Sequence, residues 1–215
     1  MRKLLTGALL LVAFCNVAAA AELQIRVVQR DGKPLPGAVV IVHAVGATLP
    51  AATPVQAVMD QIDLAFAPDV LAIPVGSTVS FPNTDKTSHE VYSFSPTHPF
   101  KLGLYRGKPY PPEHFDRAGL VTLGCNIHDA MLAYILVIDA AWYGRSGADG
   151  AWVQADVPRG RYRIEVWSPR LEEPEQTLVR EIVVDGAERS VVELRTGHAL
   201  HPPQLQKRPH SWDAY

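Results

Sequence analysis

An all-β fold is predicted by three features of this sequence. Short segments alternate apolar and polar residues or carry runs of β-branched residues, as at 23–28, 38–42 and 161–167. Turn-forming Gly, Pro and Asp residues recur between these segments. No stretch has the period of a long amphipathic helix. Short strands at this close spacing are typical of β-sandwiches or barrels.

The first two thirds of the chain hold most of the predicted strands. In order, they cover 23–28, 38–42, 59–66, 70–73, 78–81, 89–94, 119–123 and 132–138. Residues 47–54 are small and Pro-containing, which is typical of a linker. The Pro-rich residues 95–115 are predicted to be a long excursion over the surface, whose length favours a functional or protective loop.

After residue 142 the composition changes and a second set of strands is predicted. A turn-rich boundary at 146–150 precedes them. They cover 151–157, 161–167, 178–184 and 190–194. The polar residues 197–215 contain several prolines, and we expect a disordered tail there.

The size and charge of the chain bound its function. It has 215 residues, of which 47% are hydrophobic and 20% charged, so it can bury a core in one large domain or two small ones. Its formal net charge is −2. Nucleic-acid binding needs a basic face, so no nucleic-acid partner is predicted.

The N-terminus has the features of a secretory signal peptide over residues 1–21. Arg2 and Lys3 form a basic region, an apolar run covers 4–14, and alanines fill 18–21. The apolar run is too short to span a bilayer, and no later stretch is apolar enough to do so. We therefore expect cleavage and export, to the periplasm in a Gram-negative cell, with no membrane span.

Cys125 is the one cysteine outside the predicted signal peptide, because Cys15 would be removed with it. A single cysteine cannot form an internal disulfide, and an unpaired thiol in an oxidising compartment is a liability. Three explanations stay open for it at this point: metal binding, catalysis, or burial as an inert side chain.

The segment 125–131 is the motif that carries chemistry. It places Cys125, His128 and Met131 in the spacing Cys-x2-His-x2-Met, between two predicted strands. A blue-copper site takes one thiolate, two imidazoles and a weak axial thioether, so this loop would supply three of four ligands. Met131 could instead fill the core, the commonest use of methionine.

The second imidazole must come from elsewhere, and His89 is the best candidate. It starts a predicted strand after the turn-like residues 83–88, which places it at a strand end where another loop can meet it. His98 and His114 in the long loop are alternative ligands, although surface positions suit them better.

These residues resemble the cupredoxins, specifically the plastocyanin and amicyanin branch, over about 58–142. The resemblance rests on the loop 125–131 and on the segment around His89. It is nearest to periplasmic proteins loosely labelled methylamine-utilization proteins, which share the segments at 89–94 and 124–129. It implies a Greek-key sandwich over 56–142 that holds one type 1 copper ion.

The same resemblance implies a role for each ligand. Cys125 would supply the thiolate, His89 the buried imidazole, His128 the imidazole near the surface, and Met131 the axial thioether that tunes the potential. Two departures concern the surroundings of the ligands. Glu90 stands where plastocyanins usually have Asn, and Val121, Leu123 and Gly124 replace the aromatic residues common before the cysteine.

The flanking segments 22–50 and 147–196 resemble the two parts of a carboxypeptidase-regulatory-like sandwich. The segments 31–40 and 157–166 carry this weaker likeness. It implies one small sandwich interrupted by the copper-binding insertion. Some relatives bind carbohydrate or other proteins, but a structural or docking module is favoured here.

Electron transfer to a redox protein partner is the leading functional prediction. A site with all four positions filled has no open position for chemistry, so no enzyme is expected. Two alternatives stay open. One is a copper chaperone, store or sensor that uses the same ligands. The other is a non-catalytic binding module for carbohydrate or protein with a vestigial site.

Overall fold

The computed structural model describes residues 21–107, 109–171 and 177–202, and over these residues it contains seventeen strands and no helix. The predicted all-β class is confirmed. In the described part of the chain there is accordingly no helix long and apolar enough to cross a membrane. The predicted signal peptide lies outside the described residues except for Ala21, and most of the predicted tail, 203–215, also lies outside them.

The central part of the chain forms one β-sandwich. One of its sheets has the strand order β6-β12-β11-β8-β9, the other has the order β10-β7-β3, and β4 and β5 form a separate hairpin. These strands are β3 (Gln56–Val58), β4 (Asp60–Ile62), β5 (Ala65–Ala67), β6 (Val70–Pro74), β7 (Ser77–Ser80), β8 (His89–Ser93), β9 (Phe100–Tyr105), β10 (Glu113–Phe115), β11 (Gly119–Gly124) and β12 (Leu132–Ile138).

The two sheets of this central sandwich enclose an apolar core. Phe81, Phe115 and Leu123 are among its largest fully buried side chains. Cys125 and Met131 belong to the same buried cluster, at the end of the sandwich where β11 leads into β12. The core therefore extends up to the loop that carries the predicted ligands.

The segments on either side of the central sandwich fold together into a second sandwich. Its sheets have the strand orders β14-β1-β17 and β13-β2-β15-β16, so both sheets combine strands from the two segments. These strands are β1 (Ala21–Val28), β2 (Val39–Val45), β13 (Trp142–Arg145), β14 (Ala151–Val157), β15 (Gly160–Trp167), β16 (Leu178–Val184) and β17 (Arg189–Arg195). We call this body the flanking sandwich.

Strand β12 connects the two sandwiches because both of its faces are buried. Ala133 and Ile135 point into the central core, whereas Tyr134 and Leu136 belong to a second cluster that includes Trp167 of the flanking sandwich. The rings of Tyr134 and Trp167 meet edge to face, with centroids 5.5 Å apart. This burial on both faces explains why 132–138 is an almost continuous apolar run.

The predicted single strand over 59–66 is wrong, since the segment is a hairpin. β4 and β5 pair antiparallel, with Gln61 opposite Phe66. Asp63 and Leu64 form the turn, with φ angles of 51° and 57°. Two successive residues at positive φ define the tight turn that matches strand twist; Asp is common at the first position, but Leu64 stands at the second, where Gly is usual.

The predicted surface excursion over 95–115 is wrong for residues 100–105 and 113–115, which are strands. It contains β9, the edge strand beside β8, and β10, which pairs with β7. Leu102 and Tyr105 of β9 are buried in the central core. The segment therefore completes the sandwich next to His89 and does not simply lie over it.

Candidate metal centre

Three of the four predicted ligands meet at one end of the central sandwich. The ligand atoms of His89, Cys125 and His128 all lie within 4.8 Å of one another. His89 Nδ1 lies 3.2 Å from His128 Nδ1 and 3.9 Å from Cys125 Sγ. His89 and Cys125 are buried, and His128 is half-buried. One sulfur and two imidazole nitrogens therefore face a common point from three positions in the sequence.

His89 is fixed in orientation by both of its ring nitrogens. It is the first residue of β8, stands opposite Tyr105 of β9 and is fully buried. Its Nε2 lies 2.9 Å from Asp85 Oδ2. An ionised carboxylate can only accept, so Nε2 carries a proton toward Asp85, and in the neutral ring Nδ1 then has the lone pair that a metal would take on the side of Cys125. This is the tautomer that a metal ligand needs.

Asp85 is a residue of the site that the sequence did not single out. Its carboxylate also accepts the backbone N–H of Leu64 at 2.7 Å and that of Lys86 at 2.6 Å. Burial opposes its ionisation, but these bonds and the one from His89 outweigh burial and lower the pKa of Asp85. The signal available in the sequence was an acidic residue four positions before His89, inside a turn.

The Cys125 thiol is placed to ionise. Burial raises its pKa, but the hydrogen bond with His89 and backbone N–H groups, first that of Glu90 and then those of Ile127 and His128, act in the opposite direction and lower it overall. The thiolate is the form that binds metals. Residue Cys125 is 3% exposed, so its sulfur is shielded from oxidants in solution.

The loop after Cys125 returns to the sandwich through a tight turn. The Met131 backbone N–H donates to His128 O at 2.9 Å, and β12 begins at the next residue. Met131 is 1% exposed and lies in the same apolar cluster as Cys125. The structure thus buries all of the predicted ligands except His128, which keeps one side toward the surface.

Tyr92 explains why residue 124 is a glycine. A Cβ atom built on Gly124 would lie 2.7 Å from both Cζ and Oη of Tyr92, so the Tyr92 ring occupies the space of a side chain at this position. Tyr92 of β8 is paired with Gly124 of β11. The position before Cys125 therefore has no room for a larger side chain while the Tyr92 ring stands beside it.

The alternative ligands His98 and His114 stand apart from this group. His98 packs on Phe115, with ring centroids 4.4 Å apart, and its Nε2 lies 3.4 Å from Glu113 Oε2. His114 is exposed on β10. Neither is in the group formed by His89, Cys125 and His128.

The donor set of the three clustered residues fits a copper ion. A thiolate is a soft ligand that favours Cu(I), and imidazole suits copper in both oxidation states. The Nδ1 atoms of His89 and His128 lie 3.2 Å apart, so either a proton on one of them or a cation shared by both must occupy the space between their lone pairs. The thiolate, the two nitrogens and their burial at one point are thus consistent with a bound cation.

Comparison with known proteins returns copper proteins among solved structures. No family model matches the chain, and no curated protein is similar to it. A purple cupredoxin from Nitrosopumilus maritimus is 21% identical, with a TM-score of 0.33, and the match covers 38% of this chain and 99% of the cupredoxin. A reduced amicyanin variant is 20% identical, with a TM-score of 0.35, over 45% of this chain and 91% of amicyanin.

A larger copper protein is also similar over part of its length. The copper-containing nitrite reductase from Thermus scotoductus SA-01 is 26% identical, with a TM-score of 0.36. That match covers 53% of this chain and 28% of the reductase. All three TM-scores are below 0.5. These likenesses carry no functional argument, and the chemistry of this chain is judged from its own side chains.

Proposed function

We propose that this chain is a copper protein that carries electrons through one ion in a type 1 site. The observation that carries the proposal is the buried group of Cys125, His89 and His128, whose ligand atoms lie within 4.8 Å of one another. A thiolate with two imidazoles is the trigonal donor set of blue-copper sites. An electron carrier needs such a site to be held in one geometry.

The proposed ligand set has four members. Cys125 would hold the ion through Sγ, His89 and His128 through Nδ1, and Met131 would be the fourth ligand through its thioether sulfur. Met131 is supported by its complete burial beside Cys125 and by the turn that joins it to His128. When bound, copper supplies a one-electron couple between Cu(I) and Cu(II).

The strands and side chains around the ligands hold them in position. His89 begins β8, Cys125 follows β11 and Met131 precedes β12, so each is held by a hydrogen-bonded strand. Asp85 keeps the proton on His89 Nε2 and leaves Nδ1 available. A rigid ligand frame limits rearrangement between the two oxidation states. Because no position is left open for a substrate, we propose a carrier and no enzymatic activity.

The proposal extends to the partner, the location and the domain organisation. The half-buried His128, beside the exposed Ile127, is the proposed point of electron exchange with a redox protein. We propose export by the signal peptide 1–21 and a periplasmic location. We also propose that 56–142 is the copper-binding domain and that 22–50 and 147–196 form a carboxypeptidase-regulatory-like module with a structural or docking role.

Reconstitution of the purified protein with Cu(II) tests the proposal. We expect one copper per chain and an intense visible band from charge transfer between thiolate and copper. Cys125→Ser and His89→Ala should abolish the band, whereas the exposed His114→Ala should retain it as a matched control. Reversible one-electron reduction would support electron transfer. Labile, colourless Cu(I) binding would favour a chaperone or store, and absence of stoichiometric copper would contradict the site.

A further inference from the structure

The Glu90 carboxylate joins three separate segments around the candidate metal centre. Its Oε1 lies 2.8 Å from Asn126 Nδ2, in the ligand loop, and 2.7 Å from Lys101 Nζ, on the edge strand β9. Glu90 itself follows His89 on β8 and is 9% exposed. One carboxylate therefore ties the ligand loop to two strands of the sheet.

The contact between Glu90 and Asn126 links two ligands through their neighbours. Asn126 lies between Cys125 and His128, and Glu90 is adjacent to His89. The Glu90 backbone N–H is also one of the groups directed at Cys125 Sγ. If the Glu90 side chain were released, the loop would lose its side-chain attachment to β8 at the point where the ligands converge.

The burial of Glu90 makes this arrangement different from an ordinary surface ion pair. Exposed pairs contribute little to stability, because water competes for both charges. Here the Lys101 side chain is 61% exposed, but the Glu90 side chain is only 12% exposed, and a charge at that depth needs partners. Lys101 supplies the opposite charge and Asn126 a hydrogen bond. Glu at this position, the second departure in the sequence, thus has a structural explanation.

We propose that Glu90, Lys101 and Asn126 form a latch that holds the ligand loop 125–131 in its metal-binding arrangement. The three are positioning residues, since none of them belongs to the proposed ligand set. The latch slows loss of the ion by keeping Cys125 and His128 directed at His89. The claim that the latch slows copper loss rests on the proposed function. The claim that it keeps the loop 125–131 ordered does not.

The latch also places one negative and one positive charge, those of Glu90 and Lys101, near the proposed metal site. The negative Glu90 favours the more positive oxidation state of a bound ion, and the positive Lys101 opposes it. Removal of either charge breaks the ion pair in the same way. The two changes shift the reduction potential in opposite directions, however, upward in Glu90→Gln and downward in Lys101→Met. A residue with only a packing role would not produce this pair of opposite shifts.

The rate at which copper is lost to a chelator tests the latch in the full chain. Asn126→Ala is the main variant, because Asn126 is exposed and its truncation leaves the core intact. Substitution of groups that orient ligands typically weakens metal binding about 10- to 100-fold. We expect Asn126→Ala and Glu90→Ala to lose copper faster by a factor in that range. Glu90→Gln, which still accepts from Asn126, should lie nearer the parent protein.

The matched control is Glu181→Gln, which breaks an exposed Glu–Arg pair in the flanking sandwich. Arg161 and Glu181 lie 3.2 Å apart, far along the chain from the ligand loop. This variant should lose copper at the parent rate. Parent-like rates in both Asn126→Ala and Glu90→Ala would overturn the latch.

A measurement on the metal-free protein separates the latch from the proposed function. NMR relaxation of the backbone amides of 125–131 reports the order of the loop without any ion. We expect Asn126→Ala to make these amides more mobile and Glu181→Gln to leave them unchanged. If the chain bound no copper, the proposed function would fail while this experiment still decided the latch. Unchanged relaxation in Asn126→Ala would refute it.

Discussion

Asp85 accepts a hydrogen bond from His89, with its Oδ2 atom 2.9 Å from His89 Nε2. The carboxylate is held in turn by the backbone N–H groups of Leu64 and Lys86. The orientation of the buried imidazole is therefore determined by a turn four residues earlier in the chain. A carboxylate in this position also increases the basicity of the nitrogen that faces Cys125.

Loss of the Asp85 carboxylate is expected to weaken copper binding. Asp85→Ala removes the acceptor that fixes the His89 tautomer, so we expect the dissociation constant to rise about 10- to 100-fold. Asp85→Asn keeps an acceptor without the charge, so its dissociation constant should lie between those of the parent protein and Asp85→Ala. A competition titration with a chelator measures the effect, with the exposed Asp116→Ala as control. Equal affinities for Asp85→Ala and Asp116→Ala would show that the contact has no role in binding.

The sequence predicted those strands whose pattern is local. β12, β14 and β16 have the predicted bounds. For each of them the apolar pattern lies within the strand and the turn residues lie directly beside it, so the signal is local. β9 was missed because its stability comes from pairing with β8, which no local pattern reports, and because prolines surround it. The hairpin of β4 and β5 was missed because Leu64 stands at the second turn position, where Gly is the usual signal.

The same distinction applies to the candidate metal centre. Cys125, His128 and Met131 were found together because they lie within seven residues of one another and their order is that of a known donor set. The contacts from Asp85 to His89 and from Glu90 to Asn126 were not found. Each depends on where a turn or strand end lies in space, and the sequence gives no distance between such points.

Tyr105 is expected to make the protein less stable at high pH. Burial raises its pKa to about 12, from an ordinary value of 10.0. Between these values the unfolded state releases the phenol proton while the folded state retains it, so stability falls as pH rises. Two pH units correspond to about 3 kcal/mol in total. Urea unfolding between pH 9 and pH 11 should show about half of this loss, roughly 1.4 kcal/mol, because the rest falls between pH 11 and the folded-state pKa.

The control for this titration is Tyr105→Phe. The phenol donates to Phe81 O at 2.5 Å and accepts from Gln61 Nε2 at 2.5 Å, so the variant is less stable at every pH. Its stability should nevertheless fall less steeply above pH 10 than that of the parent protein, because the group that titrates is gone. Parallel slopes for the two proteins would contradict the assignment to Tyr105.

Truncation of Trp167 is expected to destabilise the contact between the two sandwiches. Trp167 is 2% exposed and packs edge to face on Tyr134. Trp167→Ala should lower the free energy of unfolding by about 3–5 kcal/mol, since a large aromatic side chain is removed from a buried cluster. Val183→Ala, at a residue 69% exposed, should change it by less than about 0.5 kcal/mol. Copper absorption per folded molecule should stay unchanged in both variants, and its loss in Trp167→Ala would show that the contact also shapes the site.

A side chain at Gly150 is expected to destabilise the protein because it would meet the backbone of β1. Gly46 is the comparison, because it has a similar φ but open space around it. Gly150 and Gly46 both have positive φ, 75° and 79°. A Cβ atom on Gly150 would lie 2.4 Å from the backbone oxygen of Val27 in β1, whereas one on Gly46 would meet nothing within 4 Å. Gly46→Ala should therefore cost only the roughly 1–2 kcal/mol of the left-handed conformation. Gly150→Ala should cost roughly 1–3 kcal/mol more, because β1 cannot move away without losing its pairing with β14. Equal losses for the two variants in urea unfolding would mean that the strand yields at Val27 without cost.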